Sequence, residues 1–468
     1  MLYSHHSLKQ KLKGNSFIHL LFGIIPACFL FIYSLFLLKV FHRFGIFTAN
    51  FNYSSANPIS YILVSLSVFF IFSYFLYLAL LDLKYRNNKD FFFFGLLILS
   101  GVFLAFNRGP FFQPPSDPIF HSGLLWDYLS ANTFDTENRA LISKSIFATI
   151  YFFSEPTSWS SRFNIVLTIH SISILFLILS CFVSSRLYGL TPKWSFFSCF
   201  ILILFFGTNQ FSYISYYSLA PTSINLSFVW LVSALLLRNA FQNPSGINYY
   251  FRIFYISLIG LLITPLLYYN HKQESGFLLF VFILAYIIIF FRSLSFKNAL
   301  QRMKKWFVLL FVLILFFPFG LLSKLGSRNI FYTTESLNLL KDHITNLSNP
   351  WLFGNINGPR VFDTLGLLGF APLIVFLILI LNKNFLTKAF DGKKNKLFLA
   401  IIPGLLPFWI ILIPFNLFIW MKGISMSSEV FWRFCYISQF WISISYFLYK
   451  LEMIFTPKLL KRFLKVKT

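Results

Sequence analysis

Apolar runs of about 20 residues recur along the chain, separated by polar segments that are mostly short. Twelve runs predict membrane-spanning helices: 17–41, 59–83, 91–107, 164–187, 194–208, 218–237, 253–270, 275–292, 306–323, 364–382, 397–420 and 430–449. An apolar helix of that length satisfies its own backbone inside hydrocarbon. The expected fold is therefore all-α, a polytopic helical membrane protein of about 12 spans forming a single integral domain over 1–468. The run 194–208 is short, and Gly207, Pro221 and Pro265 predict broken or kinked helices nearby.

The longest polar interruption, 108–163, concentrates Asp117, His121, Asp127, Asp135, Glu137 and Glu155. Two stretches inside it carry apolar residues at helical spacing, 119–129 (IFHSGLLWDYL) and 138–153 (NRALISKSIFATIYFF). Both predict short amphipathic helices lying on the membrane surface. A second long interruption spans 324–363.

Composition supports the membrane reading. The 468 residues are 57% hydrophobic and only 11% charged, with a mean hydropathy of +0.72. The 67 Phe and 23 Tyr suit lipid-facing and interfacial helix surfaces. A net charge of +25 would suit nucleic acid, but the basic residues sit in short loops between apolar runs, which excludes a nucleic-acid partner. With the N-terminus in the cytoplasm, about two-thirds of the 39 Lys and Arg fall on the cytoplasmic side. Both termini are then cytoplasmic, in an inner or plasma membrane, and 108–163, 271–274, 324–363 and 421–429 are external. Residues 1–16 are basic, and the apolar run after them is too long for a cleaved signal, so it reads as a first span or signal anchor. Cys28, Cys181, Cys199 and Cys435 lie in apolar runs and read as small buried side chains.

The external placement bounds the chemistry. Nucleotide sugars and ATP are absent outside, and the chain has no Gly-rich phosphate loop, no H-E-x-x-H and no Cys/His metal spacing. A substrate there must be lipid-borne or otherwise pre-activated. Four external clusters are candidates. In Ser116-Asp117-Pro118-Ile119-Phe120-His121, Asp117 reads as an N-cap with Pro118 at the first helical position, as a functional carboxylate, or as both. Asn270-His271-Lys272-Gln273-Glu274 reads as interfacial punctuation or as a phosphate clamp. Arg433, in Ser427-Ser428-Glu429-Val430-Phe431-Trp432-Arg433, reads as a snorkelling cation or as a contact to lipid phosphate. The 324–363 loop, with Arg328, Glu335, Asp342, His343, Arg360 and Asp363, reads as a connector or as an acceptor-binding lid.

An early acidic external loop, two surface helices, a span beginning near Arg162-Phe163-Asn164 and about a dozen spans in all resemble the C superfamily of membrane glycosyltransferases (GT-C). The likeness covers about residues 91–300 as a layout, and its motif is SDPIFH. It implies sugar transfer from a polyprenyl-phosphate carrier to a glycan, lipid or protein acceptor at the external face. It also implies an inverting displacement, with Asp117 as the base. His121, His271, Lys272, Glu274 and Arg433 would bind substrate, chiefly the phosphate. The family has two neighbouring acidic residues in this loop, and here Pro118 follows Asp117. The second carboxylate, or a ligand for a divalent cation, would then come from Asp127, Glu137 or His121. The family's loop also follows the first span, whereas this one follows the third.

Two other classes fit the same pattern. An O-antigen-type polymerase or ligase would use Arg328, His343 and Arg360. A transporter or flippase would need charged groups inside the spans, where this chain has few. A non-catalytic membrane scaffold is a further reading.

Overall fold

The computed structural model describes residues 17–37, 58–83, 92–93, 95–100, 141–154, 158–205, 221–241, 247–292, 437, 439, 441–449 and 452. The spans expected at 306–323, 364–382 and 397–420 and the amphipathic stretch 119–129 lie outside these residues. Every regular element among the described residues is helical. A π-helical turn, His19–Ile24, runs into α1 (Ile25–Leu37). Next come α2 (Pro58–Leu83), α3 (Leu141–Ser154), α4 (Trp159–Leu187), α5 (Pro192–Phe205), α6 (Pro221–Phe241), α7 (Ile247–Asn270) and α8 (Lys272–Arg292). The expected span 91–107 is represented by helical residues 95–100, and 430–449 by 441–449. Within α2, α4, α6 and α7, four stretches are long and apolar enough to cross a membrane: Ile59–Leu81, Asn164–Leu187, Thr222–Phe241 and Phe251–Asn270.

Local sequence explains where these helices start and stop. Pro58, Pro192 and Pro221 each occupy a first helical position, where the missing N–H costs nothing. Pro221 thus opens a helix, Pro265 sits inside α7, and Gly207 lies outside the described residues. The α4 C-terminus closes on Gly189, whose φ is 96°. The Leu190 amide donates to the Ser185 carbonyl at 3.1 Å and the Gly189 amide to the Arg186 carbonyl at 3.0 Å, the double bond of a Schellman cap. Gly189→Val is expected to lower stability by about 1–2 kcal/mol, because a branched side chain is disfavoured at positive φ. A thermal melt in detergent reads this directly.

The chain divides into two compact units, one of Met1–Lys84, Gly101–Ser180 and Ser215–Ile330, the other of Tyr85–Ser100, Cys181–Ile214 and Phe331–Thr468. In the first, α6, α7 and α8 pack on one another, α3 lies against α2, and α1 lies against α7. Phe72 of α2 stacks on Phe176 of α4, with centroids 3.9 Å apart, and meets Phe228 of α6 edge-on at 5.5 Å. Several hydroxyls in these apolar helices fold back on their own backbone. Ser34, Ser145, Thr149, Ser171, Ser227 and Thr264 each donate to the carbonyl four residues earlier at 2.6–2.9 Å. Their hydroxyls are satisfied within the helix itself.

Close approach of α7 to its neighbours depends on Gly260. A Cβ there would stand 2.7 Å from Phe282 Cζ of α8 and 3.2 Å from Val232 Cγ1 of α6. Between membrane helices, tight packing at small residues replaces the hydrophobic drive available in water. Gly260→Leu is expected to cost about 1–3 kcal/mol by overpacking, read as a lower melting temperature and earlier denaturation in a detergent titration.

The helix α3 differs from the expected surface helix. Residues Leu141 to Phe147 are buried on every face, Lys144 among them, whereas Phe152 and Phe153 near its end are exposed. Of the polar positions in its first half, Ser145 donates to the Leu141 carbonyl, and Ser143 and Lys144 are buried beside it.

In the second unit, Glu452 accepts hydrogen bonds from Lys193 Nζ and Trp194 Nε1, both at 2.6 Å. Those two donors hold its carboxyl below the usual glutamate range. The pair is exposed, so it contributes little stability. Cys181 and Cys199 are buried and Cys28 is partly buried, all three as free thiols, and Cys435 lies outside the described residues.

Candidate functional site

The α7–α8 junction brings together the buried polar side chains of Asn225, Asn270, His271 and Glu274. Only His271 separates the two helices. Its amide donates to the Leu267 carbonyl at 2.8 Å, prolonging the last turn of α7, and Lys272 then opens α8. Glu274 falls in the first turn of α8, where the helix N-terminus favours a negative charge. The two side chains meet, with His271 Nδ1 paired to Glu274 Oε2. The imidazole is 10% exposed and the carboxylate 2%. Of the expected external turn, the His271 and Glu274 side chains are therefore buried, apart from one edge of His271.

Three further elements frame this pair. Asn225 of α6 donates from Nδ2 to the Leu267 carbonyl at 2.9 Å and to the His271 carbonyl at 3.1 Å. Its Oδ1 accepts from Asn270 Nδ2 at 2.9 Å. Asn270 Oδ1 in turn accepts from the Ile142 amide at 3.2 Å, so a side chain of α7 caps the N-terminus of α3. The start of α3, the start of α6, the end of α7 and the start of α8 thus share one end of the bundle. Lys144, one turn into α3, is buried close to this end.

Burial of ionisable groups costs several kcal/mol unless they are paired, and inside a membrane protein such groups mark function by default. The geometry has a specific chemical meaning. A carboxylate on Nδ1 fixes which imidazole nitrogen carries the proton and leaves Nε2 as the free end. His271 can then accept a proton or, when protonated, meet an anion at its exposed edge.

Of the expected site residues, the structure brings His271 and Glu274 together. Lys272 is the first residue of α8, and its side chain is outside what is described. Asp117, His121 and Arg433 lie outside the described residues, as do Asp127, Glu137 and the loop with Arg328, His343 and Arg360. Asn225 was missed as a site residue, and Lys144 in α3 and His170 in α4 were missed as buried ionisable side chains. The available signals were an Asn in an otherwise apolar run and a Lys flanked by Ser in 138–153. Among the described residues, no three His, Cys, Asp or Glu could hold a metal ion.

The fold and this junction define a helical protein with four helices of membrane-spanning length and a buried imidazole–carboxylate pair at one end of a bundle. No family model matches the chain, and no curated protein and no solved structure does either.

Proposed function

We propose that the chain is a membrane glycosyltransferase that moves a sugar from a polyprenyl-phosphate carrier to an acceptor at the external face. The supporting observation is the buried His271–Glu274 pair at the end of an apolar bundle where α3 also begins. The helix α3 follows the acid-rich residues 108–140 directly in the chain. In this reading that end of the bundle is external and both termini are cytoplasmic.

Asp117 then removes the proton from the acceptor hydroxyl as that oxygen attacks the anomeric carbon. The bond from that carbon to the phosphate oxygen breaks, and the anomeric centre inverts. The polyprenyl phosphate departs as an anion and needs cations around it. His271 with its edge toward solvent, Lys272, His121 and Arg433 supply them, and Glu274 holds the His271 ring in place. A divalent cation enters this reading only through the carboxylates of 117–137, beyond the described residues.

The test is direct. The full chain, purified and reconstituted in lipid vesicles, is given a synthetic polyprenyl-phosphate sugar and candidate acceptors. Expected are a glycosylated product of inverted anomeric configuration and one polyprenyl phosphate released per sugar. One observation favours a transporter instead: His170 is completely buried within α4. Solute uptake by the same vesicles in the absence of lipid-linked sugar would establish that reading and remove the transferase.

A further inference from the structure

We infer that Asn225 and Asn270 are positioning residues that set the His271–Glu274 pair, an inference that rests on the transferase reading only for its kinetic arm. Both amides are fully buried, and together they join three helices. Asn225 spends both described Nδ2 contacts on the backbone of the α7 terminus, one of them on the carbonyl of His271 itself. The amide pair therefore fixes where the His271 backbone leaves α7, and with it the direction of the imidazole. Asn270 adds the second constraint by holding the first turn of α3 through the Ile142 amide. The chain that carries Asp117 runs into that turn.

The chemistry favours Asn over other residues. Each amide offers a donor and an acceptor at a fixed separation, and this arrangement uses both ends of both side chains. An Asp at 225 would set a carboxylate against two carbonyl oxygens, and an Ala would take one donor from each of the Leu267 and His271 carbonyls and the acceptor from the Asn270 amide in a buried space.

The experiment compares wild type, Asn225→Ala and Ser227→Ala in reconstituted full-length protein. Ser227 is equally buried on α6 and loses one hydrogen bond, to Ser223, so it controls for a purely structural loss. Carbethoxylation of His271 by diethyl pyrocarbonate, followed by mass spectrometry, reads the imidazole without any substrate. Positioning predicts faster modification in Asn225→Ala by on the order of ten-fold, since local opening is what exposes a buried ring, and no change in Ser227→Ala. With transfer measured per folded molecule, it also predicts a kcat lower by about 100-fold with KM within two-fold, as misplacement by an ångström does. Should Asn225→Ala not fold, Asn270→Ser breaks the amide–amide bond and the hold on the Ile142 amide while leaving Asn225 on the two carbonyls, and faster His271 modification is again the expected result. Faster modification in a protein that transfers no sugar sustains the positioning role and removes the transferase reading. Unchanged His271 modification, together with a kcat equal to wild type per folded molecule, overturns the inference.

Discussion

Glu274→Ala is expected to lower the transfer rate by about 10²–10³-fold and protein stability by about 1–3 kcal/mol. The stability cost follows from burial. The carboxylate is 2% exposed and its contact is the Nδ1 of a His that is 10% exposed. Removing it strands a polar ring nitrogen away from water and deletes the favourable charge in the first turn of α8. The rate loss follows from orientation, because the ring is then free to choose its tautomer and to turn. Glu274→Gln separates the two effects. Its carbonyl oxygen still accepts from Nδ1–H, so the fold is expected to survive, and only the stabilisation of a charged imidazole is lost. The measurements are transfer kinetics in vesicles and thermal melts of each variant. Wild-type kcat in Glu274→Ala would remove His271 and Glu274 from the chemistry.

The periodic, apolar part of the chain was legible. The expected spans 59–83, 164–187, 253–270 and 275–292 fall on α2, α4, α7 and α8 nearly end to end. Lipid demands long apolar runs, and such runs stand out in any sequence. The span expected at 218–237 forms as Pro221–Phe241, shifted because Pro221 fixes its first turn. What could not be read was which helix faces protein. Leu141 to Phe147 carry two Ser and a Lys, a pattern that suits a half-wet helix, and yet all seven are buried. The difference lies in partners that are distant in sequence: Asn270 reaches Ile142 across 128 positions, and Ser65 meets Thr149 across 84.

The same distance effect governs the candidate site. The His271-Lys272-Gln273-Glu274 run was visible as an unusual polar turn, and the spacing of His271 and Glu274 within it places them for contact across one helical turn. Its burial was not visible, since burial is set by α3 and α6 closing over the junction. Asn225 stands among Thr222, Ser223 and Ser227 at the start of a mostly apolar run, and nothing in that run shows that its amide will meet the end of another helix. Asn239, beside Arg238 near the other end of the same helix, donates to the Leu235 carbonyl of its own helix at 2.7 Å. Which partner a buried Asn amide finds is decided by packing.

Asp117→Asn is expected to reduce transfer by about 10²–10⁴-fold while leaving stability nearly unchanged. The substitution is informative because it separates two roles that the sequence leaves superimposed. Asn caps a helix as well as Asp does, so a residue that only capped the turn at Pro118 would tolerate it. A base would not, because a carboxamide cannot take the acceptor proton at neutral pH. Asp117→Ala removes both functions, and the difference between the two variants in a thermal melt measures the cap alone, about 0.5–2 kcal/mol. Arg360→Ala supplies the contrast. In a polymerase or ligase whose chemistry resides in 324–363, that change would stop the reaction and Asp117→Asn would leave it largely intact. In the transferase, Asp117→Asn stops transfer, and Arg360→Ala leaves kcat within a few-fold of wild type. Kinetics of the two variants in one vesicle preparation therefore decide between the transferase proposed and the polymerase or ligase reading.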